Sequence, residues 1–347
     1  MRGRCHSELI AKSLARSWRA LPPDLDLREP ELTAIAQTLL QTGAGGLAWW
    51  RLRTSLLKDS PVGSDFHQAF RLNSLHAARA EKQTAEVFTF LRNNSVAPIL
   101  VKGIAVARLY ADQGLRPSGD IDLCVEPSQH RRADTLLRSE AASHYFVDLH
   151  RGFANLDHHS WREIFDRSIR FTVEGVDIRV PCPEDHLRIL CFHFLREGAW
   201  RPLWLCDVAA AIEARPATFD WDLFLGLDER RAKWFACVIL LAQQLIGADL
   251  QGVPDAVTTV ALPHWLVDGV LKAWQVRAMQ NRHQAPLVNA WRAPMFTLRG
   301  LRHHWPNPIE GTIGVGGPFN NFPRLPLQVG HCIVRARNHF RRRDTKF

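Results

Sequence analysis

Two aspartates separated by one residue, Asp120 and Asp122, lie in the run Arg116-Pro117-Ser118-Gly119-Asp120-Ile121-Asp122-Leu123-Cys124-Val125. A short apolar segment directly behind a Pro- and Gly-containing turn reads as a strand, and residues i and i+2 of a strand share a face. Asp120 and Asp122 are therefore expected to project together, while Ile121, Leu123 and Val125 point into a core. Neighbouring carboxylates repel each other unless a cation lies between them, and a divalent metal is the usual solution. Upstream, Ile99-Leu100-Val101-Lys102-Gly103 reads as a strand ending in Lys-Gly, with a helical stretch expected over 104–111. A lysine, a flexible glycine and a helix N-terminus together favour phosphate. A phosphate cradle beside metal-binding carboxylates points to nucleotide chemistry.

The rest of the chain supplies a frame for that segment. Residues 7 to about 95 show apolar residues at three- and four-residue spacing, over 31–40 and 66–91, with breaks at Pro22-Pro23, 43–46 and 61–63. Short strands are expected at 97–101, 120–125, 144–150, 169–173 and 176–180, with Gly175 turning the last two into a hairpin and a helix over 128–139. After Pro183 the pattern is helical again, through 201–212, 220–227 and 232–246. A Pro- and Gly-rich loop is expected over 303–328 and a last amphipathic helix over 329–340. The fold class is α+β, a small mixed sheet flanked by helical regions. The expected regions are 1–95 (helical), 96–182 (the core carrying the aspartates) and 183–347 (helical, with a basic tail).

Composition narrows the classes. With 46% hydrophobic residues in 347, a sizeable core is expected and most of the chain should be ordered. The 44 Lys and Arg against 35 Asp and Glu leave a net +9, which suits anionic ligands. Much of the excess sits in Arg335, Arg337, Arg341, Arg342, Arg343 and Lys346, a run that reads first as a solvated tail. The seven cysteines, Cys5 among them, form no C-x-x-C pair, and Cys124, Cys191 and Cys237 lie in apolar segments as small hydrophobes. This fits a reducing cytoplasm. Residues 1–21 are charged throughout, unlike a signal peptide, and the apolar run 234–245 is too short to span a bilayer, so no membrane role is expected.

A carboxylate pair that binds two metal ions needs a third carboxylate on a neighbouring strand. Asp148, in Phe146-Val147-Asp148-Leu149-His150, is favoured, and His150 shares its face. Asp177, in Val176-Asp177-Ile178, is the competitor, but it lies beside a hairpin turn where solvated aspartates are common.

The ordered combination of strand, Lys102-Gly103, helix, Arg116-x-x-x-Asp120-x-Asp122 and a further strand with Asp148 resembles the uncharacterised nucleotidyltransferase family, a branch of the DNA polymerase beta-like nucleotidyltransferase superfamily. The likeness runs through LVKGIAVARLYADQGLRPSGDIDLCV, through VDLH at 147–150, and through PEDHLRILCFHFLREGAWRPLWLCDVAAAI at 183–212, with its His and later Trp-x-x-Asp. It implies a nucleotidyltransferase sheet with Mg²⁺ at Asp120 and Asp122. The superfamily's Gly-Ser dipeptide is replaced by Lys102-Gly103, which leaves Lys102 and Ser118 to take the place of the missing hydroxyl. Arg116, Ser118 and Gly119, with Lys102 and Gly103, are the expected nucleotide contacts.

The expected activity is therefore transfer of a nucleoside monophosphate from an NTP, ATP among the candidates, with pyrophosphate released. Two Mg²⁺ ions would sit on Asp120, Asp122 and Asp148. The acceptor is a small molecule, peptide or protein, with nucleic acid less favoured. The alternative is a non-catalytic module of this fold that binds RNA or a partner protein. His193 reads as a hydrogen-bonded core residue and Asp207 as structural, bonding His193 or capping a loop. Arg116 either meets a phosphate or pairs with Asp120. The twelve tryptophans read as packing residues.

Overall fold

The computed structural model describes residues 6–153, 156, 159–275 and 305–344. Cys5, Lys346 and the side chains of Arg341, Arg342 and Arg343 lie outside the described residues. Four helices come first: α1 (His6–Leu14), α2 (Glu29–Gln41), α3 (Gly45–Leu52) and α4 (Pro61–Asn93). The expected break at 61–63 is instead the start of α4. The Ser60 hydroxyl accepts from the Gly63 N–H at 3.2 Å and Pro61 takes the first position, where its missing N–H is harmless. The Gly-rich break at 43–46 likewise leads straight into α3.

The middle of the chain forms β1 (Ile99–Leu100), α5 (Ile104–Ala107), β2 (Ile121–Val125), α6 (His130–Leu137), β3 (Val147–Arg151), α7 (Trp161–Arg167), β4 (Ile169–Val173) and β5 (Val176–Val180). The strands make two small sheets: a three-stranded one in the order β1-β2-β3 and the β4-β5 hairpin. β1 runs antiparallel to β2, and β3 runs parallel to it. A parallel neighbour needs a crossover, and α6 supplies it. Ile121, Leu123 and Val125 pack with Val87, Phe88 and Leu91 of α4, while Cys124 faces Val101, Ile164 and Ile189 on the other side. β2 is therefore buried along its whole length.

The helix expected over 104–111 is only the four residues of α5. The N–H groups of Leu109 and Tyr110 bond three residues back, at 2.9 and 3.1 Å, and the Ala111 N–H is taken by the Trp18 carbonyl at 3.2 Å. So short a helix has little dipole to offer a phosphate.

Helices then resume as α8 (Pro183–Arg196), α9 (Pro202–Glu213), α10 (Trp221–Leu225), α11 (Glu229–Ile246), α12 (Asp255–Thr258), α13 (His264–Gln275), α14 (Pro308–Gly314) and α15 (Leu325–Asp344). α14 lies where a Pro- and Gly-rich loop was expected. Asn307 caps it by accepting from the Glu310 N–H at 2.8 Å, and Pro308 again occupies the first turn. α1 to α3, α8, α9, α11 and α13 contribute to one large apolar cluster, so helices from both ends of the chain share a core. Among the described residues, no helix is long and apolar enough to cross a membrane.

Candidate functional site: an acidic cluster at the end of the central strand

Register decides what meets at the site. In the parallel β2–β3 pair Asp122 lies opposite Asp148, and Cys124 opposite His150. Asp122, Asp148 and His150 therefore share one face. On the other edge of β2, the Val101 N–H donates to the Asp122 carbonyl at 3.0 Å, which sets Lys102 beside Asp122 as the chain leaves β1. The side chains complete this arrangement. Lys102 Nζ lies 2.8 Å from Asp122 Oδ1, and His150 Nε2 lies 3.5 Å from Asp122 Oδ1 and 3.2 Å from Asp148 Oδ2. One ligand atom each from Asp122, Asp148 and His150 falls within 4.8 Å of the others. That grouping could hold a metal ion, since two carboxylate oxygens and an imidazole are a competent donor set.

Exposure is graded across the cluster. The Asp122 side chain is 7% exposed, Lys102 20%, His150 40% and Asp148 52%, so it opens outward on the Asp148 side. Burial is the largest influence on Asp122 and pushes its pKa up. The hydrogen bond from His150 and the Lys102 charge together outweigh it, leaving Asp122 below the ordinary carboxylate range. Asp120 behaves oppositely. It precedes the strand proper and is exposed, and its pKa is raised, first by partial burial and then by the Asp122 charge, with Lys102 opposing. The aspartates are electrostatically coupled as expected, but only Asp122 has its charge met within the protein. Asp177, the competing third carboxylate, lies in the hairpin, where it accepts from Thr172 Oγ1 at 3.2 Å.

The loop before Asp120 is held from below. Arg116 is buried and donates to Asp207 of α9 twice, Nε to Oδ1 at 2.7 Å and Nη2 to Oδ2 at 3.1 Å. The Tyr110 hydroxyl donates to the same Oδ1 at 2.6 Å. Burial opposes the Arg116 charge, but Asp207 more than compensates and the Arg116 pKa rises. Arg116 thus pairs with Asp207, not with Asp120, and Asp207 does not bond His193. Arg116 Nη1 also reaches the Gly103 carbonyl at 3.4 Å. Gly103 adopts φ +59° and ψ −124°, a conformation that glycine tolerates and other residues resist, and its Cα faces the Asp120 carbonyl. On the α8 side, His186 Nε2 donates to the Val101 carbonyl at 3.0 Å. Burial pushes the His186 pKa down to about 4, so the ring is neutral.

Of the remaining expected contacts, Ser118 is 8% exposed and its Oγ has no hydrogen-bond partner. Gly119 is exposed, with open space where a Cβ would lie. His193 Nδ1 is also buried without a partner, and burial, then the Lys102 charge, lowers the His193 pKa to about 3. Sequence reasoning placed His150 on the Asp148 face without making it a ligand, although the i, i+2 parity was already sufficient. It gave no role to Tyr110 or His186, whose partners lie far along the chain. A separate cavity of about 600 Å³ lies at the C-terminal end of α9. Its polar lining is satisfied internally: Arg19 pairs with Glu213, and Arg215 donates to the Ile212 and Gln251 carbonyls.

No curated protein matches the chain. Among solved structures, an antigenic nucleotidyltransferase-like protein from Paracoccidioides brasiliensis is similar over 58% of this chain and 94% of its own, at 14% identity and a TM-score of 0.31. A score that low carries no argument about this chain. The family comparison does: the model of the uncharacterised nucleotidyltransferases matches residues 29–247, from α2 through α11 and across the whole acidic cluster, and the chain belongs to that family.

Proposed function

We propose that this protein is a Mg²⁺-dependent nucleotidyltransferase that moves a nucleoside monophosphate from an NTP to an acceptor, releasing pyrophosphate. The observation that carries the reading is the convergence of Asp122, Asp148 and His150 on one face of the sheet, with Asp120 just ahead of the strand and under the influence of the Asp122 charge. Three carboxylates there face a single ammonium, Lys102. That surplus of negative charge, with an unpartnered Ser118 hydroxyl on the adjoining loop, fits a site for divalent cations and phosphate.

Asp120, Asp122 and Asp148 would hold the metal, with His150 fixing the orientation of the last two. When bound, Mg²⁺ neutralises the triphosphate and polarises the α-phosphorus toward in-line attack. Lys102 stands where a cation belongs, at Asp122 Oδ1. On nucleotide binding its ammonium turns to phosphate oxygens, with the Ser118 hydroxyl and the Gly119 backbone on the adjoining loop as further partners. Asp148, half-exposed and paired with His150, takes the proton of the acceptor hydroxyl or phosphate. Arg116 keeps a structural role through Asp207, and Gly103 supplies the turn that brings Lys102 level with the aspartates.

The test is incubation of the protein with each α-labelled NTP and Mg²⁺, with and without cell extract, beside the Asp122→Ala variant. Label transfer or pyrophosphate release by the wild type alone supports the reading. If wild type and variant are equally inert with every NTP and acceptor pool, the protein is a binding module of this fold.

A further inference from the structure

Three rings meet where α8 passes into α9. His193 lies 4.5 Å from Trp204, centroid to centroid, at 64°, and Trp200 lies 5.3 Å from Trp204 at 75°. All three are only half-buried, unlike Trp18, Trp234 and Trp274, which are core residues. Edge-to-face contact is an ordinary way for aromatic rings to pack; it is their partial exposure that leaves ring surface within reach of a ligand. Arg201, between the two tryptophans in sequence, donates from Nε to the Thr42 carbonyl at 2.6 Å and sets its guanidinium 5.7 Å from the Trp204 centroid.

This shelf adjoins the acidic cluster. A Cβ built on Gly43 would meet Arg201 Nη2 at 2.5 Å and Pro117 Cγ at 2.8 Å, so Gly43 is pinched between the shelf and the loop that carries Ser118 and Asp120. From the other direction, His193 lies near enough to Lys102 and Asp122 to feel both charges. Its Nδ1 has no hydrogen-bond partner. A half-open aromatic surface, one unpartnered ring nitrogen and a phosphate-binding lysine alongside match the two ends of a nucleotide.

We propose that Trp200, Trp204 and His193 form the seat of the NTP base, Trp200 stacking on it, Trp204 backing Trp200 edge-to-face, and a turn of the imidazole bringing Nδ1 to its polar edge. This rests on the nucleotidyl-transfer reading and adds to it the part of the substrate that the carboxylates do not touch. Stacking on aromatic side chains tolerates any base, so the shelf sets affinity more than base identity.

Calorimetry on the full chain with Mg²⁺ can separate base from phosphate, using ATP, GTP, CTP, UTP and inorganic tripolyphosphate as probes. Trp200→Ala and His193→Leu should each weaken the best-bound NTP by about ten- to a hundredfold and leave tripolyphosphate affinity unchanged. Trp200→Phe should stay within about threefold of wild type for that NTP, since stacking survives. NTP affinity at the wild-type level in both Trp200→Ala and His193→Leu overturns the proposal. So does equal loss of NTP and tripolyphosphate in both, which would make the shelf structural. If the wild type binds none of the five probes, the nucleotidyl-transfer reading has itself failed and the base seat falls with it.

Discussion

Two hydrogen-bonded clusters lie at either end of one loop, and they are built on opposite principles. Below the loop, Asp207 is 1% exposed and each of its oxygens is matched by a donor from Arg116 or Tyr110. Above it, Asp122, Asp148 and Asp120 share one lysine and one histidine, and Asp148 is half-exposed. The lower cluster is closed: it holds as many donors as it needs and has no room for a ligand. The upper one is acidic, graded in exposure and incompletely satisfied. Family membership alone would not separate Asp207 from the three aspartates above the loop; partner count and exposure do.

The sharpest way to break that contrast is to remove one aspartate from each side. Asp122→Ala should reduce transfer by more than a thousandfold, about 4 kcal/mol of barrier, and lower the melting temperature, because its depressed pKa marks a carboxylate that is better off charged in the folded chain. Asp120→Ala should be equally inactive but slightly more stable than wild type, because its raised pKa marks a carboxylate that is worse off charged in the folded chain. Differential scanning calorimetry beside a pyrophosphate-release assay checks both; near-normal turnover in both would undo the metal assignment.

Asp207→Ala should behave in the reverse way. It leaves the Arg116 guanidinium buried without its partner, a loss of about 3–5 kcal/mol in stability, read by urea denaturation. A variant that stays as stable as wild type would mean the lower cluster is not the anchor its geometry indicates.

His186 tests the same support by pH. Its pKa falls from 6.5 to about 4 in the folded chain, so between these values the unfolded chain binds the proton and the folded chain does not. Stability from this group is complete above about pH 6.5 and is lost as pH falls toward 4, by about 3 kcal/mol across the window. His186→Gln, which can still donate to the Val101 carbonyl, should show a flatter stability profile there. Parallel profiles for variant and wild type would exclude His186 as the source.

The smallest expected difference lies within the upper cluster. Asp148→Asn should keep NTP–Mg²⁺ binding within about tenfold while slowing transfer about a hundredfold, or about 2.7 kcal/mol. Asp177→Asn, in the hairpin, should change neither. An exchange of these behaviours would move the third carboxylate to the hairpin.

What could be read from the sequence follows from how local each signal is. The strands around Asp122 and Asp148 and the Gly175 hairpin were legible because alternation and turn residues act over a few positions. The parity that put Ile121, Leu123 and Val125 into the core was equally local, and their packing with Val87, Phe88 and Leu91 agrees with it. α7 could have been read too: Ser160 and Glu163 form a capping box at its start. Pro61 and Asn307-Pro308 mislead because proline, a breaker in a helix interior, opens a helix at both places. The shortness of α5 was not legible, since the Trp18 carbonyl that takes the Ala111 N–H lies 93 positions earlier in the chain. Nor was the partner of Arg116: Asp207 is 91 residues away, and no pattern within the loop announces it.

That distance has a consequence for the smallest piece of chain that can carry the site. The strands with Asp122 and Asp148 are complete by Arg151, yet the loop that presents Asp120 is fastened to α9. Cut free of α9, Arg116 and Tyr110 would be left as unmatched donors beneath the aspartates. The acidic cluster is in this sense built by a part of the chain that contributes nothing to its donor set. Evolutionary exchange of the helical region around α9 for another would have to bring its own acceptor for Arg116 or lose the loop's placement with it.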